Sequence, residues 1–495
     1  MRATSLSMPD PALPVRGPMT ALAGGTLRQR PRRGSAAWLL LAALAIPAIA
    51  PARDAQAARS LVETLGITPA RLSADYWIQR QSAPDKPILD RDAIQAQNAR
   101  LVALDKTVFD LEKLPATLTQ TQVHTWVSAL SRLPTRALYD ERGDEVDAAT
   151  LAALLPAVQI DAIPAQLTPR HGLVVRRADL RTFPTRQRVF SAPGDTDIDR
   201  FQESALFPGT PVVMVHESAD GQWWFVVSPT YAAWVEKQHV AEGSVQEVFA
   251  YAHKTPFLVV TGATVRTTFT PGQPGVSDLQ LDMGVRVPLL ADWPQDQPVN
   301  GQHAYTSHVV QLPIRDVEGR LRLVPALLPK TADVAHEVLP LTRENLLRQS
   351  FKFLGERYGW GHSYGTRDCS GFVSEVYRSM GVDLPRNTSA QAVSPALNRI
   401  AFEKNDAREK RMAVLRDAQV GDLIYIPGHV MMVIGKEGGQ TWLIHDTHGI
   451  TYRNDNGERI RAPLNGVSVT PLEPLLFNSD SSFVDHITNI QRIRP

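Results

Sequence analysis

The sequence predicts a multidomain protein with a mainly helical N-terminal segment, two small β-barrels and an α+β C-terminal domain. Three observations predict this fold class. The chain has 495 residues, more than one hydrophobic core ordinarily organises. Short apolar runs between Pro-Gly and Asp-Gly turns dominate its middle, as in small barrels. In the last third, helical periodicity comes first and strands follow, the order typical of an α+β domain.

The composition excludes one class of partner. The chain is 43% hydrophobic and 21% charged, as is usual for globular proteins. Its 52 basic and 51 acidic residues leave a net charge of +1, so no overall charge attracts nucleic acid. We therefore expect no nucleic-acid partner.

Residues 1–57 predict a secretory signal peptide. Four arginines between positions 28 and 33 precede an apolar run from Ala36 to Ala50, and Ala55-Gln56-Ala57 gives a small-residue cleavage motif. The run is short for a membrane span, so we expect a mature chain that starts near Ala58 and has no stable span. An uncleaved anchor is the alternative. The prediction is an exported protein, with the periplasm as its location.

Residues 58–165 are expected to form a helical domain with a packing role, since they contain no chemical motif. Residues 93–101 are typical of a helix, and a second helix is expected over residues 146–155, ended by Pro156. We expect this second helix to end at Pro156 because proline disrupts a helix interior.

Residues 166–243 and 244–334 predict the first and second barrels. Strands are expected at 211–216 and 223–227 in the first, and at 257–260 and 308–312 in the second. The pair Trp223-Trp224 is interpreted as core and rim of the first barrel, with ligand stacking as the alternative.

Residues 335–495 contain the side chains that are candidates for a chemical reaction. One helix is expected to open near Thr342, and another at or just before Cys369, with an apolar face from Phe372 to Met380 and Gly381 as its stop. Strands are expected at 421–426, 429–434 and 441–445.

Cys369 is the one cysteine in the chain, which excludes an intramolecular disulfide and a multi-cysteine metal site. A lone cysteine is more often an inert core residue, but Asp368, Ser370 and Gly371 are not core neighbours. A free thiol in an exported protein risks oxidation, which favours a chemical use. We interpret Cys369 as a nucleophile. The helix N-terminus is expected to lower its pKa below the free value of about 8.5.

His429 and His445 are the predicted partners of the thiol. They lie at the ends of two neighbouring strands, so both can reach one sheet edge, where one acts as base and the other orients it. His448 and Asp446 compete with His445 for the third position. His362 is a weaker candidate because it lies in a glycine-rich loop that we expect to be flexible. A Cys-His-His zinc site would block the thiolate, so no metal and no cofactor is expected.

Six sequence blocks occur in an order that resembles a known family. They are Tyr358-Gly359-Trp360-Gly361, Asp368-Cys369-Ser370-Gly371-Phe372-Val373, Leu384-Pro385-Arg386, Gly421-Asp422-Leu423, Gly428-His429-Val430 and His445. With these blocks, the C-terminal domain resembles the NlpC family of bacterial cell-wall cysteine peptidases. Upstream, residues 177–181, 199–202 and 220–223 resemble the first of two bacterial Src-homology-3 type barrels in a multidomain branch of that family. The helical segment is similar to the stabilising clip of that branch.

The resemblance implies a papain-like fold and hydrolysis of the γ-D-glutamyl to diamino-acid bond in peptidoglycan stem peptides or muropeptides. It implies that Cys369 is the nucleophile, His429 the base and His445 the polar third member. The substrate-binding residues that it implies are Tyr358, Asp368, Ser370, Arg386, Asn387 and Thr388.

One departure from the family pattern affects the expected substrate. Relatives that demand a free N-terminal L-Ala tend to carry Asp-Ser after the arginine of the Pro-Arg pair, whereas this chain has Asn387-Thr388. Loss of the acid weakens the case for strict recognition of a free amine. Cleavage within intact wall and recycling of small fragments are both left open.

Two other functions remain as alternatives. A wall-binding protein with an inactive peptidase domain would be favoured by a missing member of the Cys369, His429 and His445 set, which is intact here. An amidase or acyltransferase would use the same thiol, and product analysis separates it from a peptidase.

Overall fold

The computed structural model describes residues 61–494. The predicted signal peptide at residues 1–57 and its cleavage site lie outside these residues. No helix within residues 61–494 is long and apolar enough to cross a membrane. The described chain begins with short helices, continues through two β-rich units and ends in an α+β domain, so the predicted fold class is confirmed.

Side-chain caps determine where the two longest N-terminal helices begin. The carboxylate of Asp90 accepts a hydrogen bond from the backbone of Ala93 at 2.8 Å, and helix Arg91–Leu104 follows. Thr119 forms a capping box with Gln122 at the start of the next helix. This second helix is Gln120–Leu130. Further elements of the segment are helix Ala74–Ile78 and strands β1 (Pro87–Leu89), β2 (Leu118–Thr119) and β3 (Gln166–Leu167).

The expectation that Pro156 ends one helix over residues 146–155 is wrong. The chain forms two short helices, Ala148–Ala152 and Leu154–Val158, and Pro156 lies in the first turn of the second. The first-turn N–H groups of a helix have no partner within it, so a residue without an N–H is tolerated there. Position within the helix therefore decides whether a proline acts as a stop.

Trp77 connects the N-terminal segment to the C-terminal domain. Its indole is fully buried, and its ring centroid lies 5.7 Å from that of Trp442. Gly435 lies directly beneath this indole, because a Cβ there would approach the ring to 2.7 Å. Strand β1 also pairs antiparallel with β18 (Leu341–Thr342). The N-terminal segment thus completes the core of the C-terminal domain.

The first barrel is a seven-stranded antiparallel sheet with the order β10-β4-β7-β8-β9-β5-β6. Trp223 is buried in it, and Trp224 is partly exposed between Arg170 and Lys237, so the pair occupies core and rim. The strands are β4 (Arg170–Val174), β5 (Ala178–Arg181), β6 (Gln202–Leu206), β7 (Pro211–Glu217), β8 (Trp223–Val227), β9 (Ala232–Glu236) and β10 (Val240–Gly243).

The second β-rich unit consists of one three-stranded sheet and two hairpins. A capping box between Ser244 and Glu247 starts helix Val245–Ala252, which precedes its strands. The strands are β11 (Phe257–Val260), β12 (Thr264–Arg266), β13 (Gln280–Asp282), β14 (Arg286–Pro288), β15 (Ser307–Arg315), β16 (Leu321–Pro329) and β17 (Val334–Ala335).

The C-terminal domain packs helices against a six-stranded antiparallel sheet with the order β19-β26-β20-β21-β22-β25. Helix Cys369–Arg378, called the Cys369 helix below, buries its apolar face on this sheet. The other helices are Arg343–Phe351, Thr388–Val393 and Arg408–Arg416. The strands are β19 (Asn398–Ala401), β20 (Leu423–Ile426), β21 (His429–Glu437), β22 (Gln440–Thr447), β23 (Ile450–Arg453), β24 (Arg459–Ala462), β25 (Gly466–Pro471) and β26 (Asn489–Arg492).

Strand register brings two histidines to one face of this sheet. Met432 on β21 lies opposite Ile444 on β22. Because side chains alternate between faces, His429 and His445 become diagonal neighbours on the same face. Their ring centroids are 5.1 Å apart.

Removing the Trp77 indole should destabilise the whole described chain, because it leaves a large cavity against Trp442. We expect Trp77→Ala to lower the free energy of unfolding by about 3–5 kcal/mol in urea titrations. The matched control is Leu104→Ala, since Leu104 is 53% exposed. An unchanged unfolding free energy in Trp77→Ala would contradict this packing.

Candidate active site

The Cys369 thiol lies at the start of its helix, as predicted. Asp368 is the N-cap residue, and its carboxylate accepts a hydrogen bond from the backbone of Gly371 at 2.8 Å. Cys369 is only 5% exposed, and its Sγ lies 3.5 Å from the Thr388 hydroxyl. The thiol is therefore almost fully shielded from solvent, and it faces the Pro-Arg-Asn-Thr segment that ends at Thr388.

The thiol is not the low-pKa group that its helix position predicts. Burial, followed by the negative charge of Asp368, raises the pKa of Cys369 to about 12. The Thr388 hydroxyl and the Val430 backbone favour the thiolate, but they do not outweigh burial. The prediction of a lowered pKa is thus wrong, because burial disfavours the thiolate and the N-cap that starts the helix is itself an anion beside the sulfur.

His429 and His445 form a hydrogen-bonded pair. Nε2 of His429 lies 2.8 Å from Nδ1 of His445, and Nε2 of His445 lies 2.9 Å from the Thr470 hydroxyl. Burial lowers the pKa of His429 to about 4 and that of His445 well below its usual value. Both rings are therefore neutral at pH 7, and Nδ1 of His429 remains available for the thiol.

The described structure shows no hydrogen bond between the Cys369 thiol and the His429 ring. The thiol instead meets the backbone of Val430, the residue next to His429. Catalytic hydrogen bonds are often long without substrate and shorten when it binds. The catalytic roles of Cys369, His429 and His445 remain predictions, supported by this arrangement.

The two competing histidines lie elsewhere. His448 contacts Asp197 at 3.4 Å and the Tyr358 ring, not the His429 ring. His362 is buried, and the expectation that its loop is flexible is wrong. Its Nδ1 accepts a hydrogen bond from Arg386 at 2.8 Å, and its Nε2 donates to Glu375 at 3.0 Å. Both ring nitrogens are engaged, so His362 supports the site instead of acting as the base.

Arg386 organises the predicted substrate-binding residues around the helix start. It donates to Asp368 at 2.8 Å and to the Ser370 hydroxyl at 2.8 Å. This guanidinium outweighs burial and holds the pKa of Asp368 well below its usual range. Because Asp368 also accepts from the backbone of Gly361, both its oxygens are already bonded. A substrate amine would have to displace one of these donors.

The remaining predicted residues lie on two sides of the thiol. Tyr358 is buried, and burial, then the charge of Cys369, raises the pKa of its hydroxyl well above the usual value. Thr388 contacts the sulfur, whereas Asn387 is exposed and meets Tyr231 of the first barrel. The structure thus places Tyr358 and Thr388 next to the reacting atom, and Asn387 further out.

The first barrel supplies a wall of the cleft that the sequence reasoning missed. The hydroxyls of Tyr231 and Thr182 both donate to the Glu203 carboxylate, the latter at 2.6 Å. Within the described chain this carboxylate makes no ion pair with lysine or arginine. Next to it, Ser204 accepts a hydrogen bond from Arg386 at 2.7 Å. No local motif marks Glu203 or Tyr231, because only the packing of two distant segments brings them here.

Asp446 is a buried acid close to the thiol. Both its carboxylate oxygens are buried without a hydrogen-bond partner among the described residues. Burial, then the charge of Asp368, raises its pKa well above the usual value. Any negative charge on Asp446 would disfavour the thiolate of Cys369.

One group of side chains in residues 61–494 has metal-ligand spacing. The ligand atoms of Asp195, Asp197 and His448 lie within 4.8 Å of one another. Asp197 is already paired with Arg357 and accepts a hydrogen bond from Asn465 at 2.9 Å. The group excludes Cys369, so it lends no support to a Cys-His-His zinc site.

The raised thiol pKa can be measured directly because Cys369 is the one thiol of the chain. We expect the rate of alkylation by iodoacetamide to rise about tenfold per pH unit between about pH 6 and 9, since only the thiolate reacts. Mass spectrometry of the modified chain provides the rate. Free cysteine and a Cys369→Ala variant are the controls. A rate that is already constant below pH 8 would show a preformed thiolate instead.

Comparison with known proteins extends these observations. Residues 188–236 match the family model of an SH3 domain of the SH3b1 type, and residues 355–469 match the NlpC/P60 family model. The chain is similar to a γ-D-glutamyl-L-lysine dipeptidyl-peptidase of Bacillus cereus, with 25% identity over 253 residues. This match covers 48% of the chain and 66% of the relative.

Two further similarities agree with these matches. A probable endopeptidase p60 of Listeria welshimeri is 32% identical over 118 residues, which cover 23% of the chain and 19% of the relative. The chain thus spans less than two thirds of the length of either relative. A solved structure of an NlpC/P60 endopeptidase from Photobacterium damselae subsp. piscicida shares the fold, with a TM-score of 0.67, 18% identity, and coverage of 84% of this chain and 95% of that one. The chain thus contains an SH3b-type domain and, C-terminal to it, an NlpC/P60 domain.

Proposed function

We propose that this protein is a cysteine peptidase that hydrolyses peptidoglycan stem peptides at the γ-D-glutamyl to diamino-acid bond. The observation that carries the proposal is the relay from His429 through His445 to Thr470, which begins next to Val430, the residue whose backbone contacts the Cys369 thiol. The NlpC/P60 domain and the peptidase activities for which the similar proteins are named support the substrate class.

In the proposed mechanism the thiol is deprotonated only as it attacks. Nδ1 of His429 takes the proton while Sγ forms a bond to the scissile carbonyl carbon. His429 then gives that proton to the leaving amine, the C–N bond breaks, and a thioester on Cys369 remains. Water, deprotonated by the same ring, hydrolyses the thioester and restores the thiol. A pKa of about 12 for the thiol and about 4 for the imidazole makes a resting ion pair unfavourable.

His445 and Thr470 act as positioning residues in this scheme. When Nε2–H of His429 donates to Nδ1 of His445, the opposite nitrogen of His429 is free to accept the thiol proton. His445 then carries its own proton on Nε2, facing the Thr470 hydroxyl. The hydroxyl therefore favours the tautomer of His445 that keeps His429 ready as a base.

We also infer export to the periplasm. The support is the arginine-rich, then apolar, then small-residue pattern of residues 1–57. Peptidoglycan lies outside the cytoplasmic membrane, so an enzyme that cleaves the intact wall has to be exported.

Removal of either reacting group should abolish turnover without unfolding the chain. We expect Cys369→Ala and His429→Gln each to lower kcat/KM by at least about 10³-fold. Purified peptidoglycan and tripeptide fragments are the substrates, and mass spectrometry identifies the products. Val317→Ala is the matched control, because Val317 is fully exposed. Equal turnover by Cys369→Ala would remove the nucleophile assignment, and products not cut at the diamino-acid bond would favour an amidase.

The free carboxylate of Glu203 leads to a prediction about substrate choice. Only hydroxyl groups among the described residues donate hydrogen bonds to this carboxylate, so an ammonium group can pair with it at the cleft wall. We expect stem peptides with a free N-terminal amine to be cleaved faster than their N-acetylated forms, by about ten- to a hundredfold. Glu203→Gln should remove most of this preference.

Glu318→Gln is the control for this substrate test, since Glu318 is exposed on the β15–β16 turn. Ratios of kcat/KM for the two peptides measure the preference. Equal cleavage of both peptides by the wild type would instead favour action on intact wall, where the stem amine is acylated.

A further inference from the structure

A cavity of about 480 Å³ lies behind the Cys369 helix, between the first barrel and the second β-rich unit. Phe207 of the first barrel, Phe257 of the second unit and Arg378 of the helix line it. Cys369 and His429 are not among its lining residues. The cavity is therefore separate from the thiol, and the proposed peptidase chemistry does not use it.

Four cationic side chains line this cavity, and Arg386 is paired with Asp368, which leaves three, Lys254, Arg286 and Arg378. The side chain of Arg286 is exposed and makes no hydrogen bond or ion pair among the described residues, and its guanidinium carbon lies 3.8 Å from the Phe257 ring centroid. Arg378 donates one hydrogen bond, to the backbone carbonyl of Met283 at 2.7 Å, and its buried Nε has no acceptor. Lys254 donates to a neutral side-chain amide. None of the three has a carboxylate within ion-pair distance.

The acids of the cavity compensate these charges only in part. Glu375 is engaged by His362 at 3.0 Å and by Arg367 at 3.1 Å. Asp383 forms no ion pair within residues 61–494, but its charge attracts both Arg286 and Arg378. Arg286, Arg378 and Lys254 thus face one unengaged carboxylate. Burial lowers the pKa of Arg378, whereas the Arg286 side chain is exposed to solvent.

The fold keeps space for one of these arginines. At Gly284, which has a positive φ of 80°, a Cβ would approach the Arg378 side chain to 2.7 Å. A glycine at this position therefore lets the guanidinium reach the cavity wall. Planar guanidinium groups with free N–H bonds match carboxylate and phosphate oxygens. The aromatic walls would contact the rest of such a ligand.

We propose that this cavity binds a small organic anion, a carboxylate or phosphate on an apolar body, through Arg286 and Arg378. The anion supplies the acceptors that the two guanidinium groups lack, and its apolar part covers the Phe207 and Phe257 rings. The ligand site lies on the side of the Cys369 helix opposite its apolar face. Binding there is a property independent of peptide hydrolysis.

Isothermal titration of the full mature chain tests the site with three probes: inorganic phosphate, phenyl phosphate and phenylacetate. We expect phenyl phosphate or phenylacetate to bind, and phenyl phosphate to bind more tightly than inorganic phosphate. Arg286→Met should weaken binding about ten- to a hundredfold. Arg461→Met is the matched control, because this substitution removes the same charge from a residue that is exposed on the β23–β24 hairpin.

The outcomes distinguish the parts of the proposal. The aromatic probe that binds more tightly shows whether the acidic group of the ligand is a phosphate or a carboxylate. Phosphate binding with no gain from the phenyl ring would overturn the organic ligand, and no binding of any probe would overturn the site. Equal affinity in Arg286→Met, or an equal loss in Arg461→Met, would show non-specific attraction. If Arg286→Met does not fold, Arg286→Lys keeps the charge but loses the paired N–H bonds, and it should still weaken binding.

Discussion

The buried ion pair between Arg386 and Asp368 is the interaction on which the site depends. Arg386 joins the start of the Cys369 helix to His362 and, through Ser204, to the first barrel. Removing one partner of such a pair leaves an uncompensated buried charge, which typically costs about 3–5 kcal/mol. The position of the sulfur and the docking of the barrel are therefore fixed by the same guanidinium group.

The same burial determines the protonation state of the site. Asp368 stays charged because Arg386 neutralises it, whereas Cys369, His429 and His445 have no comparable partner and remain neutral at pH 7. Charge then develops only when a substrate carbonyl accepts the sulfur. A resting site of neutral groups also protects the thiol from oxidation, because the thiol form is far less reactive toward oxidants than the thiolate.

Local pattern was enough to predict the helix start at Cys369 and the two strands that carry His429 and His445, because apolar periodicity and strand alternation are local properties. It failed where tertiary burial decides the outcome. The thiol pKa depends on depth and on the Asp368 charge, and His362 is held by Arg386 and Glu375, which lie far from it in sequence or on another element. Glu203 and Tyr231 could not be found, since only domain packing places them beside Asn387.

Domain packing also separates two properties of the molecule. The thiol and the His429–His445–Thr470 relay come entirely from the C-terminal domain, whereas Glu203 and Tyr231 at the cleft wall come from the first barrel. Reactivity and substrate choice therefore reside on different folding units. Because Arg386 bonds to both units, a change in barrel docking would alter the cleft wall and the helix start together. Under the proposed function, such coupling lets a barrel remote in sequence restrict which stem peptides reach the sulfur.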